Sequence, residues 1–168
     1  MKKITAALCA ILLLFAVGCG EKDNGGYSVD IAYFADAGSM PDAAYKVGDA
    51  VPEEKEGDEN KFFVEDGETS FVSTGDFGYY YNIADESPAF YAVVGFSTCY
   101  GFEVGAISIE VTKALDSLGI KYEERAPEDG EIFFLPASEN RSVIECKSLK
   151  HKLIFVFESN ALCAAAVF

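Results

Sequence analysis

Two short apolar stretches decide the predicted fold: residues 89–96 read AFYAVVGF and residues 161–168 read ALCAAAVF. Three of the eight aligned positions are identical, and nearly all of the others are apolar in both stretches. A continuous apolar run of this length is typical of a buried strand. Phe96 ends the first stretch and Phe168 ends the second. A Phe-Phe pair precedes each of them, and its first residue lies 34 residues before Phe96 in one case and 35 residues before Phe168 in the other. This spacing predicts two similar halves.

A helix is predicted ahead of the strands in each half. In the second half, Ser108 can N-cap a helix whose apolar residues recur every three to four positions. Gly119 and Ile120 fit its C-terminus as a Schellman motif, in which the glycine takes a positive φ. In the first half, Ser39 is predicted to cap a shorter helix that ends at Gly48.

The sequence therefore predicts an α+β fold, built as a tandem duplication of a helix plus antiparallel sheet unit. The first unit covers residues 28–96 and the second covers residues 97–168. The alternative is that two α+β halves have the same length without duplication. Strands are expected near 62–64, 70–73, 77–83 and 90–96, then near 131–135, 142–147, 151–158 and 161–168, with further strands near 28–34 and 97–103.

The hairpins of the second half indicate which side chains face outward. A two-residue turn at 159–160 pairs Phe157 with Leu162 and Phe155 with Ala164, which places these four residues on the core face. The opposite face is also largely apolar, although an antiparallel sheet with one side in water should be polar there. Either loops or the other half cover this face, or it docks a partner protein. This candidate docking face consists of Tyr80, Tyr91, Val93, Ile154 and Val156.

The N-terminus has the pattern of a secretory signal. Lys2 and Lys3 precede fourteen residues at positions 4–17 that are apolar or small apart from one threonine. A membrane-spanning helix needs ~20 apolar residues, so this run is too short to be one. Residues 20–27 are polar and glycine-rich, as expected of a tether.

The end of the apolar run, AVGC at residues 16–19, resembles the lipobox of bacterial lipoproteins, although leucine is more usual at the position of Ala16. The resemblance implies that residues 1–18 are a lipoprotein signal peptide and that Cys19 carries acyl chains. Two or three acyl chains anchor a protein stably, where one is marginal. Residues 19–27 would form the tether of a membrane-anchored, extracytoplasmic lipoprotein of the cell envelope.

A second resemblance concerns the fold. TCYGFEVG at residues 98–105, followed by Val111, is similar to the strand–turn–helix segment of a broad group of small bacterial lipoproteins. The helix-then-strands unit resembles the β-barrel-assembly small lipoproteins, and its duplication resembles the β-lactamase-inhibitor protein fold. Those families usually carry Gly-Asp-Ser where this chain has Ala106 and Ile107 after the glycine. The resemblance implies a fold and a location, and these families mostly bind proteins; no functional residue carries over except Cys19.

The mature chain is strongly acidic. Without residues 1–18 it has 11 basic and 28 acidic residues, a formal net charge of −17. Such a surface repels nucleic acid and anionic lipid head groups, and it favours cationic partners or simply solubility. Of the three remaining cysteines, Cys146 and Cys163 point to opposite faces of the predicted sheet, so a disulfide would have to involve Cys99. We expect all three thiols to be reduced and mostly buried.

The sequence contains no motif of recognised chemistry. It has neither a Gly-x-Ser-x-Gly elbow nor a glycine-rich nucleotide-binding loop. Its one histidine, His151, lies in a predicted turn between lysines, where neither a catalytic triad nor a histidine-based metal site can be built convincingly. The acidic residues between 53 and 68 lack the EF-hand spacing. We therefore predict no enzyme activity, no cofactor and no metal site.

These observations predict a non-catalytic protein-binding module at the cell envelope. The lipid anchor would contact the membrane, and the candidate docking face would bind an unidentified envelope protein. The alternative is a lipoprotein that captures a glycan or small ligand between the two halves.

Overall fold

The computed structural model describes residues 29–54, 60–64 and 69–168. The predicted signal peptide, the tether and Cys19 lie outside these residues. Across the described ranges, no helix has the length and apolar character needed to cross a bilayer. The elements are helices α1 (Ile31–Asp36) and α2 (Ser108–Ser117), and strands β1 (Lys61–Val64), β2 (Thr69–Thr74), β3 (Phe77–Asn82), β4 (Phe90–Gly95), β5 (Thr98–Cys99), β6 (Phe102–Glu103), β7 (Tyr122–Arg125), β8 (Arg141–Cys146), β9 (Leu153–Glu158) and β10 (Ala161–Val167).

Eight strands form one antiparallel sheet in the order β1-β2-β3-β4-β10-β9-β8-β7, and β5 pairs with β6 in a separate hairpin. The two apolar stretches provide β4 and β10, which pair with each other at the centre of the sheet. Val93 lies opposite Val167, and Gly95 lies opposite Ala165. Strands that are covered on both faces are apolar at nearly every position, and this accounts for the composition of both stretches.

The predicted α+β class, with its tandem repeat of a helix and a sheet, is wrong. The described chain is mostly antiparallel sheet, and its helices have only 6 and 10 residues. Apart from the β5–β6 hairpin, the strands of both halves belong to one sheet rather than to two separate sheets. Residues 89–96 and 161–168 resemble each other because they occupy the same environment, the doubly covered centre of that sheet.

Helix α2 follows the sequence prediction closely. Its C-terminus is a Schellman motif: the N–H of Ile120 donates to the carbonyl of Leu115 over 2.9 Å, and Gly119 has a φ of 69°. The N-terminus differs, because Ile107 is the N-cap residue and makes no side-chain capping bond. The hydroxyl of Ser108 donates instead to the side-chain carbonyl of Asn160, at 2.5 Å.

The helix predicted between Ser39 and Gly48 is wrong, and turns and irregular backbone occupy these residues instead. The first helix lies earlier in the chain, at Ile31–Asp36, where the sequence favours a strand. Asp30 is its N-cap and accepts a backbone hydrogen bond from the first turn at 3.0 Å. Gly38, with a φ of 71°, ends the helix. The N–H of Ser39 donates back to the carbonyl of Phe34 at 3.0 Å, so Ser39 belongs to the C-terminal cap of this helix.

Two β-bulges decide which residues share a face of the sheet. In β10 the extra residue is Cys163. Between the turn and this bulge the pairing is as predicted. Beyond the bulge, Phe155 lies opposite Ala165 rather than Ala164. In β4 the extra residue is Tyr91. A bulge adds one residue to one strand only and reverses the side chains that follow it. The predicted faces are therefore interchanged beyond each bulge.

Both faces of the sheet are covered. On the first face, α1, α2 and the β5–β6 hairpin pack on a large cluster that includes Tyr79 and Phe155. On the second face lies the connection between β7 and β8, residues 126–140, which we name the crossing segment. Residues 131–135 of this segment form turns rather than the predicted strand, and β7 provides the edge strand instead.

Candidate functional site

The crossing segment packs its apolar side chains on the second face of the sheet. Phe134 is 7% exposed, and its ring centroid lies 6.3 Å from that of Tyr80 and 6.5 Å from that of Phe96. Small alanines on β10 leave room for these rings. The buried sheet residues of this second cluster are Tyr80, Ala92, Val94, Val143, Ile154, Val156, Ala164 and Ala166.

Charged side chains hold the crossing segment to the sheet. The guanidinium of Arg125, on β7, donates to both carboxylate oxygens of Glu131, at 2.6 and 2.8 Å, and to Glu145, on β8, at 3.0 Å. Lys152 lies 2.7 Å from Glu131, and Lys147 lies 2.5 Å from Glu145. The side chain of Glu131 is only 3% exposed. We name these five residues the ionic cluster.

The ionic cluster changes the proton affinity of its members. Burial alone raises the pKa of Glu131, but the hydrogen bonds from Arg125 and Lys152 outweigh burial and lower that pKa to about 2. The pKa of Glu145 is also lowered, since its bonds to Lys147 and Arg125 outweigh the effect of burial. The carboxylates are therefore held in their charged form, which suits a structural clamp rather than an acid catalyst.

We expect the stability of the protein to fall as the pH drops from about 4.5 to about 2. Because the pKa of Glu131 is lower in the folded chain, its contribution is complete above its ordinary pKa of 4.5 and is lost as the pH falls through about 2. Urea unfolding at a series of pH values measures this dependence. A Glu131→Gln variant should show a shallower dependence over the same window, and equal slopes would contradict the assignment.

A row of aromatic rings continues the second face toward β1. Phe63, Phe71 and Tyr80, on three adjacent strands, stack with centroids 4.8 and 5.1 Å apart. Phe133, from the crossing segment, meets Tyr80 edge-on at 4.9 Å and Tyr91 at 5.9 Å. Phe63 is 43% exposed and Tyr91 is 37% exposed, so both ends of the row reach solvent. We name these five residues the aromatic row.

The structure places the five residues of the candidate docking face in three environments. Tyr80, Ile154 and Val156 share the second face but are buried in its cluster, at 3% exposure or less. Val93 lies in the cluster of the first face, because the bulge at Tyr91 turns it over. Among the five, Tyr91 alone presents substantial surface to solvent.

Sequence reasoning missed most of the aromatic row and all of the ionic cluster. A signal existed for Phe71, because alternation in β2 places its neighbour Val72 on the first face and therefore Phe71 on the second. No such signal existed for Phe133 or Glu131, because their positions depend on the path of the crossing segment rather than on a local pattern.

The cysteines in the described residues form no disulfide, and their thiols have low reactivity. Burial raises the pKa of Cys99 and of Cys146 to about 12. Burial also raises the pKa of Cys163, whose thiol donates to the carbonyl of Val156 at 3.2 Å. Because the thiolate is the reactive form, these side chains act as small apolar groups.

The described surface offers open depressions and exposed rings. One depression of about 540 Å³ lies along residues 101–106, and another of about 580 Å³ lies beside Gly119 and Tyr122. Among the residues that the structure describes, no three His, Cys, Asp or Glu side chains are grouped to hold a metal ion. The aromatic row is the feature best suited to contact another molecule.

Comparison with known proteins gives no match: no protein-family model fits the sequence, and no curated protein or solved structure is significantly similar to it. The resemblances to lipoprotein families therefore stay predictions from the sequence.

Proposed function

We propose that the chain is a lipid-anchored, extracytoplasmic lipoprotein that binds another protein of the cell envelope without catalysing a reaction. The observation that carries the proposal is the aromatic row, with Phe63 and Tyr91 open to solvent at its two ends. The anchor rests on the lipobox at Cys19, which lies outside the described residues.

The aromatic row has the properties of a protein-binding surface. Phenylalanine and tyrosine are enriched at the centres of protein interfaces, and tyrosine is among the residues that supply most of the binding energy. The rings of the row are already held against one another, over distances of 4.8 to 5.9 Å. A partner would therefore immobilise few additional rotamers, which lowers the entropy cost of association.

Charge indicates the chemistry of the partner. The mature chain has a formal net charge of −17, so a partner with a basic rim around an apolar centre would associate fastest. An acidic partner would be repelled at long range, and added salt would weaken that repulsion. We thus expect the aromatic row to bind a protein surface that has an apolar centre and a basic rim.

We expect a photoreactive phenylalanine analogue at position 63 or 91 to form a cross-link to one discrete protein in cells of the native host. The matched control is position 83, because Ile83 is 46% exposed and lies outside the aromatic row. Full-length protein is irradiated in intact cells, and the products are identified by mass spectrometry. With the purified partner, Tyr91→Ala should weaken binding by roughly 30-fold, the effect of removing an interface hot spot of about 2 kcal/mol.

The pattern of cross-links distinguishes the functional alternatives. A protein captured from positions 63 and 91 but not from position 83 supports the proposal. Cross-links to carbohydrate at those two positions would favour the glycan-binding alternative, since exposed aromatic rings also stack on sugars. Identical products from all three positions would show that the aromatic row is not the binding surface.

A further inference from the structure

Three exposed apolar side chains lie within six consecutive residues, 104–109. Val104 is 44% exposed, Ile107 is 43% exposed and Ile109 is 50% exposed. Val104 follows the β5–β6 hairpin, Ile107 is the N-cap residue of α2, and Ile109 lies in the first turn of that helix. Single exposed apolar residues are ordinary, whereas three within six residues concentrate exposed apolar side chains in one part of the chain.

The same part of the surface adjoins the start of the described chain. The side chain of Val29, the first described residue, lies so close to Gly101 that a Cβ at Gly101 would be only 3.1 Å from Val29 Cγ2. Gly101 and Val104 line the same open depression. The point where the chain arrives from Cys19 is therefore beside the exposed apolar segment.

The length of the intervening chain limits how far this surface can be from the anchor. Ten residue steps separate Cys19 from Val29. Fully extended, they span at most ~35 Å. A domain of this size has a diameter of roughly 35–40 Å, so the surface around Val29 stays within about one domain diameter of the anchor, whereas the opposite side of the domain can lie twice as far away.

We propose that residues 104–109 contact the phospholipid bilayer in which Cys19 is anchored, with Val104, Ile107 and Ile109 at the boundary between head groups and acyl chains. This inference rests on the lipid anchor of the proposed function. Glu103 and Glu110 are exposed and line the same depression, so the contact favours zwitterionic over anionic phospholipid.

The absence of tryptophan from the chain gives a clean test. Ile109→Trp places a single fluorophore in the proposed contact, and Tyr91→Trp places one in the aromatic row as the matched control. Each full-length, lipidated variant is bound to phosphatidylcholine vesicles with or without brominated acyl chains. A ring seated 5–10 Å below the interface should lose roughly half of its fluorescence to brominated lipid. We expect that loss for Ile109→Trp and little loss for Tyr91→Trp.

The outcomes separate this inference from the proposed function. If both variants float with the vesicles but neither is quenched, the lipid anchor stands and the bilayer contact is overturned. If neither variant floats, the anchor itself fails, and the inference fails with it. Val104→Trp provides a second probe should Ile109→Trp fold poorly, and circular dichroism of each variant checks the fold. Stronger quenching when phosphatidylglycerol is added would overturn the preference for zwitterionic lipid.

Discussion

Replacing Ile154 with alanine is expected to lower the free energy of unfolding by about 2–5 kcal/mol, the range for large-to-small substitutions at fully buried sites. Ile154 is 0% exposed and lies in the cluster of the second face. The crossing segment covers that face, so truncation of the side chain leaves a cavity. If the second face were open to water, the same substitution would change stability by about 0.5 kcal/mol or less.

Urea unfolding followed by far-ultraviolet circular dichroism measures the effect, and Ile109→Ala is the matched control. Ile109 is 50% exposed, so its truncation should leave the free energy of unfolding unchanged within about 0.5 kcal/mol. Equal losses for the two variants would mean that the second face is not buried as the structure has it. A large loss for Ile154→Ala alone would establish a sheet with two covered faces.

Features that depend only on residues close together in the chain were predictable from the sequence. The Schellman motif at Gly119 needs only a glycine at the right place after an apolar stripe, and the structure confirms it. The pairing of Phe157 with Leu162 follows from the two-residue turn between them, and it is also confirmed. Most of the strands of the sheet were likewise marked by apolar runs between turn residues.

The fold class was not predictable, because it depends on pairing between distant strands. The likeness of residues 89–96 and 161–168 favoured a repeated unit, whereas these strands are neighbours in one sheet. A single extra residue at Tyr91 or at Cys163 reverses every later side chain of its strand. No local pattern encodes such a bulge, so alternation alone assigned Val93 to the wrong face.

The candidate site was hidden for a related reason. Glu131 is one of 28 acidic residues, and nothing beside it in the sequence marks it as buried. Its partners Arg125 and Lys152 come from separate places in the chain and meet it only because the crossing segment folds over the sheet. The aromatic row likewise includes Phe133 of that segment, which contacts Tyr80 and Tyr91. The candidate site thus depends on a connection for which the sequence pattern predicts an ordinary strand.

Replacing Glu131 with glutamine is expected to lower the free energy of unfolding by about 3 kcal/mol. Removing one partner of a buried ion pair typically costs about 3–5 kcal/mol, and the lower end applies because Arg125 keeps its bonds to Glu145. Glu128→Gln is the matched control, because its side chain is 71% exposed and lies 4.0 Å from the same guanidinium. Loss of such a surface contact should cost about 1 kcal/mol or less. Urea unfolding of both variants at neutral pH gives the comparison.

A double-mutant cycle assigns the loss to the Arg125–Glu131 pair rather than to a general disturbance of the crossing segment. Each single variant, Arg125→Met or Glu131→Gln, leaves a buried charge without one of its partners, whereas the double variant removes both members of the pair. The double variant should therefore lose less stability than the two single variants combined, by a coupling energy of about 1–3 kcal/mol. Additive losses would show that the two side chains stabilise the crossing segment independently. Glu131 would then act through Lys152 and the backbone N–H of Glu128, which contact it at 2.7 and 2.9 Å.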